Sequence, residues 1–401
     1  MKKILCIVLS ILMLSTVVSY TITSLANITK ANENNSSQSK STTEKNSDKT
    51  EDTKKAEKNT SAATNNSTSN SNINFDAFQG GNKNVLRRVS TEIISVPKNL
   101  KAIATNDNTD YGIDESVQAA VTTYDLNGNI VDWTVKNDVL YVITKTNNRL
   151  TVINSNDLND ACYASLSATP AEMNIVDDKI YVSLPSLKRI DVFSKADCKL
   201  LSSMLFEHEV SSFCVDGVFI YYTENEGWCH VYRKNIVTNK VVQINDNNSL
   251  FSDPKIYLNK EDGILYVGET FSSGCALYYY DAKTLNFMSK FEKNDYGISN
   301  KTRKLFHVGN NVYWGGYCIS DTNAEELRGR FGTDCDGSML YASEKIISTN
   351  EGLFDANTYE YIVNYSEAKF DYKQIIVSES GKLFFKQNNT DETVIVNLKL
   401  Q

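Results

Sequence analysis

Beyond Cys6 the chain carries seven cysteines: Cys162, Cys198, Cys214, Cys229, Cys275, Cys318 and Cys335. Thiols pair as disulfides, ligate soft metals or act as nucleophiles, and each use needs a partner at a defined spacing. An odd number leaves at least one thiol outside any intramolecular set of bridges. Cys318 and Cys335 flank a polar stretch, and a bridge between them closes an 18-residue loop, worth about 3 kcal/mol in the chain-entropy account. Cys214 and Cys229 fall on the first and third strands of one repeat, two strand spacings or roughly 9.5 Å apart, beyond disulfide reach. Cys162 and Cys198 take like positions in successive repeats, as do Cys229 and Cys275. They read as buried thiols packing as small hydrophobes, with bridges between repeats as the alternative.

Other reactive groups lack the spacing that chemistry needs. His208, His230 and His307 read as lying in different repeats, and none has Cys or His three or four residues away, so no zinc site is expected. The loop from Asn106 to Glu115 alternates oxygen donors, but Gly112 comes one place late for an EF-hand and no distal Glu follows. Gly-x-Ser-x-Gly is absent, and Gly268 and Gly274 are wrongly spaced for a nucleophile elbow. No glycine-rich phosphate loop occurs, so no cofactor is called for. Paired carboxylates, Glu207 with Glu209 and Asp334 with Asp336, are the types a glycosidase or lyase uses. Trp314, Tyr317, Arg328 and Arg330 are the expected ligand contacts, because Tyr, Trp and Arg dominate binding hot spots and irregular loops on rigid scaffolds carry function.

The elements that would position these residues are short strands. Leu140-Tyr141-Val142 and Ile180-Tyr181-Val182 place two tyrosines 40 residues apart, and similar phrases return at 218–222, 263–268, 312–315 and 382–385. A fixed period in this range, with several strands per unit, predicts a β-propeller. Turn dipeptides Asn137-Asp138, Asp177-Asp178, Asp216-Gly217 and Asp262-Gly263 separate the strands with residues that tolerate positive φ. Six phrases imply six blades of four antiparallel strands, and counting the irregular segment 74–128 separately makes seven. That segment is expected to supply an outer strand closing the ring against the C-terminal strands. From Tyr313 to Asp355 there are about 27 more residues than between the matching Tyr266 and Asp281. This predicts an insertion at 319–338, with a short helix over Ala324–Arg330 capped by Asp321 or Thr322.

The repeated strands, clearest over 129–292, resemble the YVTN type of bacterial propeller repeat. The resemblance implies the fold and a secreted or surface location, and little about chemistry.

Ahead of the ring, residues 1–26 have the basic, apolar and small-residue segments of a signal peptide. Residues 27–73 are a low-complexity Asn, Ser, Thr, Lys and Glu stretch with almost no groups able to form a core, and are expected to be a disordered linker. The propeller domain is assigned to 74–401. Removing the signal shifts the formal charge of −8 further negative, which argues against nucleic acid. The expectation is a secreted or cell-surface, non-catalytic binding module for an extracellular protein or glycan. Membrane association would come only through an uncleaved N-terminal anchor. The alternatives are an extracellular polysaccharide lyase or glycosidase, or a structural subunit of a surface assembly.

Overall fold

The computed structural model describes residues 82–399 apart from short segments, the longer being 106–114, 295–303, 332–338 and 388–393. They belong to one compact unit, Asn72–Gln401. The expected signal peptide and linker, the alternating-oxygen loop at 106–114, Cys335 and the Asp334/Asp336 pair lie outside the described residues.

The described residues are almost entirely antiparallel β, folded as seven sheets. Six follow one another along the chain, each containing four successive strands. Blade 1 is Asn129–Lys136, Val139–Lys145, Arg149–Asn154 and Ala161–Ser165, with Asn82–Lys83 added at its outer edge. Blade 2 is Met173–Val176, Lys179–Leu184, Arg189–Ser194 and Leu200–Leu205; blade 3 is Val210–Asp216, Phe219–Glu224, Val231–Asn235 and Val241–Gln243. Blade 4 is Lys255–Asn259, Ile264–Phe271, Gly274–Asp281 and Phe287–Asn294; blade 5 is Phe306–Val308, Asn311–Trp314, Tyr317–Ser320 and Leu327–Arg330. Blade 6 is Met339–Ala342, Ile346–Thr349, Gly352–Asp355 and Tyr361–Asn364. The seventh is shared between distant segments. Tyr372–Val377, Leu383–Gln387 and Val394–Lys399 are completed by Ser116–Asp125, and Arg87–Pro97 pairs outside that. The segment 74–128 therefore does close the ring. The helix Lys98–Thr105 joins its two strands and buries Leu100 with Leu353 and Val363 of blade 6.

Two sequence expectations are corrected here. The surplus between Tyr313 and Asp355 is a whole blade boundary: Leu327–Arg330 is the outer strand of blade 5 and Met339–Ala342 the inner strand of blade 6. The expected helix over Ala324–Arg330 is absent because Arg330 and Gly329 pair with Tyr317 and Cys318, and cross-strand partners override a local capping signal. Blade 6 escapes notice in the sequence because its second strand, Ile346–Thr349, has no aromatic residue.

Blade 1 is buried on both faces. Tyr141 and Ile143 pack with Ile180 and Val182 of blade 2, whereas the intervening Leu140 and Val142 pack toward Ile376 of blade 7. Period-2 alternation thus sends successive side chains into two different interfaces, and the strand reads as a continuous apolar run. Tyrosine hydroxyls stitch neighbouring blades: Tyr221 donates to Ala282 O at 2.9 Å, Tyr266 to Asp321 O at 2.7 Å and Tyr341 to Val377 O at 3.0 Å. The tight turns are as expected, with Asn137 (φ 51°) and Asp138 (φ 55°) both left-handed. The inner strands touch in sequence, and that of blade 7 contacts that of blade 1.

Candidate functional site: the central channel

The inner strands of blades 1 to 5 enclose a cavity of about 760 Å³. Its polar lining comes from one level of the repeat. Asp132, Glu172 and Ser212 succeed one another at intervals of 40 residues, each at or near the start of an inner strand. Lys255 and Lys304 follow at the corresponding places in blades 4 and 5. The acids thus stand on blades 1 and 2, and the lysines on blades 4 and 5.

Asp132 is buried, at 4 % exposure. One carboxylate oxygen accepts the Met173 N–H of blade 2 at 3.1 Å, and the other is ion-paired with the Lys304 ammonium of blade 5. Lys304 also donates to Trp133 O at 3.3 Å. Blades 1 and 5 are not neighbours in the ring, so this pair spans the channel. At the interface between blades 3 and 4, Ser212 takes the same role as Asp132, accepting the Ile256 N–H at 3.1 Å. Lys255 is held by Asp253 at 2.7 Å, and Asp253 also receives the Ser211 hydroxyl at 2.5 Å.

Glu172 differs. It faces the channel and is only half-buried, yet desolvation by the packed protein beside it pushes its carboxyl up from 4.5 to about 7. The Lys255 charge opposes the shift, Asp132 adds to it, and a hydrogen bond from Ser212 opposes it again. Glu172 therefore exchanges its proton near neutral pH, beside the ion pair of Asp132 with Lys304. His307 lies at the cavity edge, its Nε2 3.3 Å from Asn259 Nδ2 and 3.4 Å from Asp321 Oδ2.

A second polar cluster sits on blade 3. The buried Glu224 carboxylate meets His230 Nδ1 at 2.8 Å and His208 Nδ1 at 3.1 Å, and it accepts the His230 backbone N–H at 2.8 Å. His208 stacks on Tyr232 at 4.8 Å between centroids. The expectation that the three histidines lie in different blades is corrected: the structure puts two of them on one carboxylate, because Glu224 ends the second strand of blade 3, opposite Val210 at the start of the first and next to the Thr223–Val231 pair at the start of the third. Among the described residues, no group of three or more His, Cys, Asp or Glu is placed to hold a metal ion.

No family model and no curated protein matches the chain. Among solved structures, it is similar to the computationally designed protein Ika8, with 10% identity, 69% of this chain and 98% of that one covered, and a TM-score of 0.44. It is also similar to BamB from Moraxella catarrhalis, with 13% identity, 79% and 100% covered, and a TM-score of 0.43. The propeller assignment rests on the strand pairing described above.

The expected contact residues divide by burial. Trp314 is 1 % exposed, its Nε1 donating to Glu269 O at 3.1 Å and its ring lying against Gly268, where a Cβ would come within 2.6 Å. Tyr317, 5 % exposed, packs edge-on against Phe291. Arg328 and Arg330 are exposed. Arg328 clamps the rim of blade 5, donating to Asn310 O at 2.5 Å, Asn311 Oδ1 at 2.7 Å and Ser320 Oγ at 3.2 Å. The Arg330 guanidinium lies 5.6 Å from the Tyr317 ring centroid. Cys318 is buried and accepts the Tyr359 hydroxyl at 3.4 Å. Sequence reasoning misses the channel residues, although the 40-residue recurrence from Asp132 to Glu172 to Ser212 matches that of the tyrosines.

Proposed function

We propose that this chain is a non-catalytic binding module, exported to the cell surface or beyond, whose rigid ring engages a polar extracellular ligand, a glycan or a protein segment, at the channel. The observation that supports it is the mutual compensation of the channel charges. Asp132 is neutralised by Lys304 and by the Met173 N–H, and Lys255 by Asp253. Such a lining offers oriented donors and acceptors on a preformed concave surface.

One observation favours the alternative, a glycan-cleaving enzyme. A carboxyl raised to about 7 in the same cavity as a second carboxyl group, Asp132, has the character of the acid half of a glycosidase or lyase pair. Binding of the full chain to arrays of glycans and cell-wall fractions, with product analysis of each positive, separates the two. Retention without turnover, lost in Glu172→Gln and Lys304→Met, supports the binding module. Turnover abolished by Glu172→Gln replaces it with the enzyme.

A further inference from the structure

Turns between the third and fourth strands of several blades share a residue in the left-handed conformation: Cys198 (φ 57°), Asn239 (φ 57°), Leu285 (φ 67°) and Tyr359 (φ 62°). In three of them its N–H donates to the carbonyl four residues back, from Cys198 to Ser194 at 3.0 Å, Leu285 to Asp281 at 2.7 Å and Tyr359 to Asp355 at 2.9 Å. Left-handed backbone is disfavoured for a residue with a Cβ. In those three turns it carries the side chain into an interface with the preceding blade. Leu285 packs against the cluster formed by blades 3 and 4. Tyr359 reaches Cys318 of blade 5 with its hydroxyl and covers Gly329 with its ring, where a Cβ would come within 2.4 Å.

In blade 2 the plug is Cys198, and what it meets is another cysteine. Its fully buried Sγ lies 2.7 Å from the Sγ of Cys162, on the outer strand of blade 1. This is closer than two unbonded sulfurs settle, because repulsion rises steeply inside van der Waals contact. A disulfide, with its bond of about 2.05 Å, relieves the overlap by a small movement. The two cysteines are not at like positions in successive repeats, as the sequence suggested. One is on a fourth strand and the other in a turn, and the plug geometry brings them together.

We infer that Cys162 and Cys198 form a disulfide that joins blade 1 to blade 2, made by exchange with an external disulfide. Cys162 is the entry point. It is only partly buried and borders a cavity of about 660 Å³ together with Tyr141, Asp160 and Lys195, whereas Cys198 has no exposed surface. The Cys162 thiol gives its proton to water, and the thiolate attacks one sulfur of the external disulfide. This forms a mixed disulfide and releases one external thiol. Cys198, deprotonated in turn, attacks Cys162 Sγ and expels the second. Two protein S–H bonds and one external S–S bond are exchanged for one protein S–S bond and two external thiols, with the electron pair passing to the external sulfurs.

The test uses the full chain incubated with excess oxidised glutathione, then denatured, treated with N-ethylmaleimide and mapped by mass spectrometry without reduction. The expected result is a linked peptide containing Cys162 and Cys198, both lost to alkylation, while Cys214, Cys229 and Cys275 still take the reagent. A reductant should lower the thermal midpoint of the parent chain by more than that of Cys162→Ser. The mapping uses the parent chain, so it does not depend on the variant folding. Alkylation of both positions after oxidant treatment, a persistent glutathione adduct on Cys162, or linkage of either cysteine elsewhere overturns the inference.

Discussion

Replacing Lys304 with Met removes the ammonium that faces Asp132 across the channel. The carboxylate then keeps only the Met173 N–H, at 3.1 Å, in a position with 4 % exposure. Truncating one partner of a buried pair costs about 3–5 kcal/mol, mostly from the charge left behind. The Lys304 side chain is 27% exposed, so water reaches that side of the cavity, and the loss should lie near the lower end, about 3 kcal/mol. Asp132→Asn keeps an oxygen for the Met173 N–H and leaves a lysine able to turn toward solvent, which should cost about 1–2 kcal/mol. The double variant leaves no unpaired charge, and its loss should fall about 2 kcal/mol short of the sum. Urea unfolding of the four chains, followed by two probes to check two-state behaviour, gives these differences from the midpoints. The coupling should change little between low and high salt, since a buried pair is weakly screened. A Lys304→Met loss below about 0.5 kcal/mol, or a strictly additive double variant, would refute the ion pair as a strap across the ring.

Three more outcomes follow from named contacts. Glu172 holds its proton in the folded chain up to about pH 7 but releases it near 4.5 when unfolded. Its contribution is therefore fully present below pH 4.5 and fades as pH rises through 7. The stability of the parent relative to Glu172→Gln should fall by about 3 kcal/mol across that window, and a flat difference sinks the assignment. Gly268→Ala would place a methyl 2.6 Å from the Trp314 ring, an overpacking that should cost about 1–3 kcal/mol in thermal unfolding. Arg328→Ala removes four hydrogen bonds at an exposed rim, one of them the ion pair with Glu326, and should lower stability by about 1 kcal/mol; an unchanged midpoint would show the clamp to be idle.

The repeat is legible because its signals are local. Tyr141, Tyr181 and Tyr266 mark second strands, and Asn137-Asp138 marks a turn whose backbone only certain residues accept. Blade 6 is hidden because Ile346–Thr349 fills the same place with aliphatic and hydroxyl side chains. The outer strand Leu327–Arg330 reads as helix because Asp321 and Thr322 look like caps, whereas its conformation is set by Tyr317 and Cys318 across the sheet. The channel is illegible for another reason. A lone Asp132 or Glu172 beside apolar neighbours reads as ordinary solvent-facing alternation until the ring turns those positions toward a common axis. Trp314 shows the converse, since a large aromatic just before the expected insertion suggests a contact surface and proves to be interior packing against Gly268.

The shared seventh blade gives the molecule a seam with its own kinetics. Asp125 pairs with Val394, residues separated by roughly 270 positions, and closing so long a loop costs about 5 kcal/mol of chain entropy. Hairpins within a blade, such as the one turning at Asn137-Asp138, carry almost none of that cost. Blades 1 to 6 can therefore assemble as an open arc in the order they occur, and the latch between Ser116–Asp125 and Val394–Lys399 forms against the largest barrier. Rejoining the chain so that its break falls between blades 3 and 4 would bring the two sides of this latch to within roughly 130 positions of each other and move the longest closure to the other side of the ring.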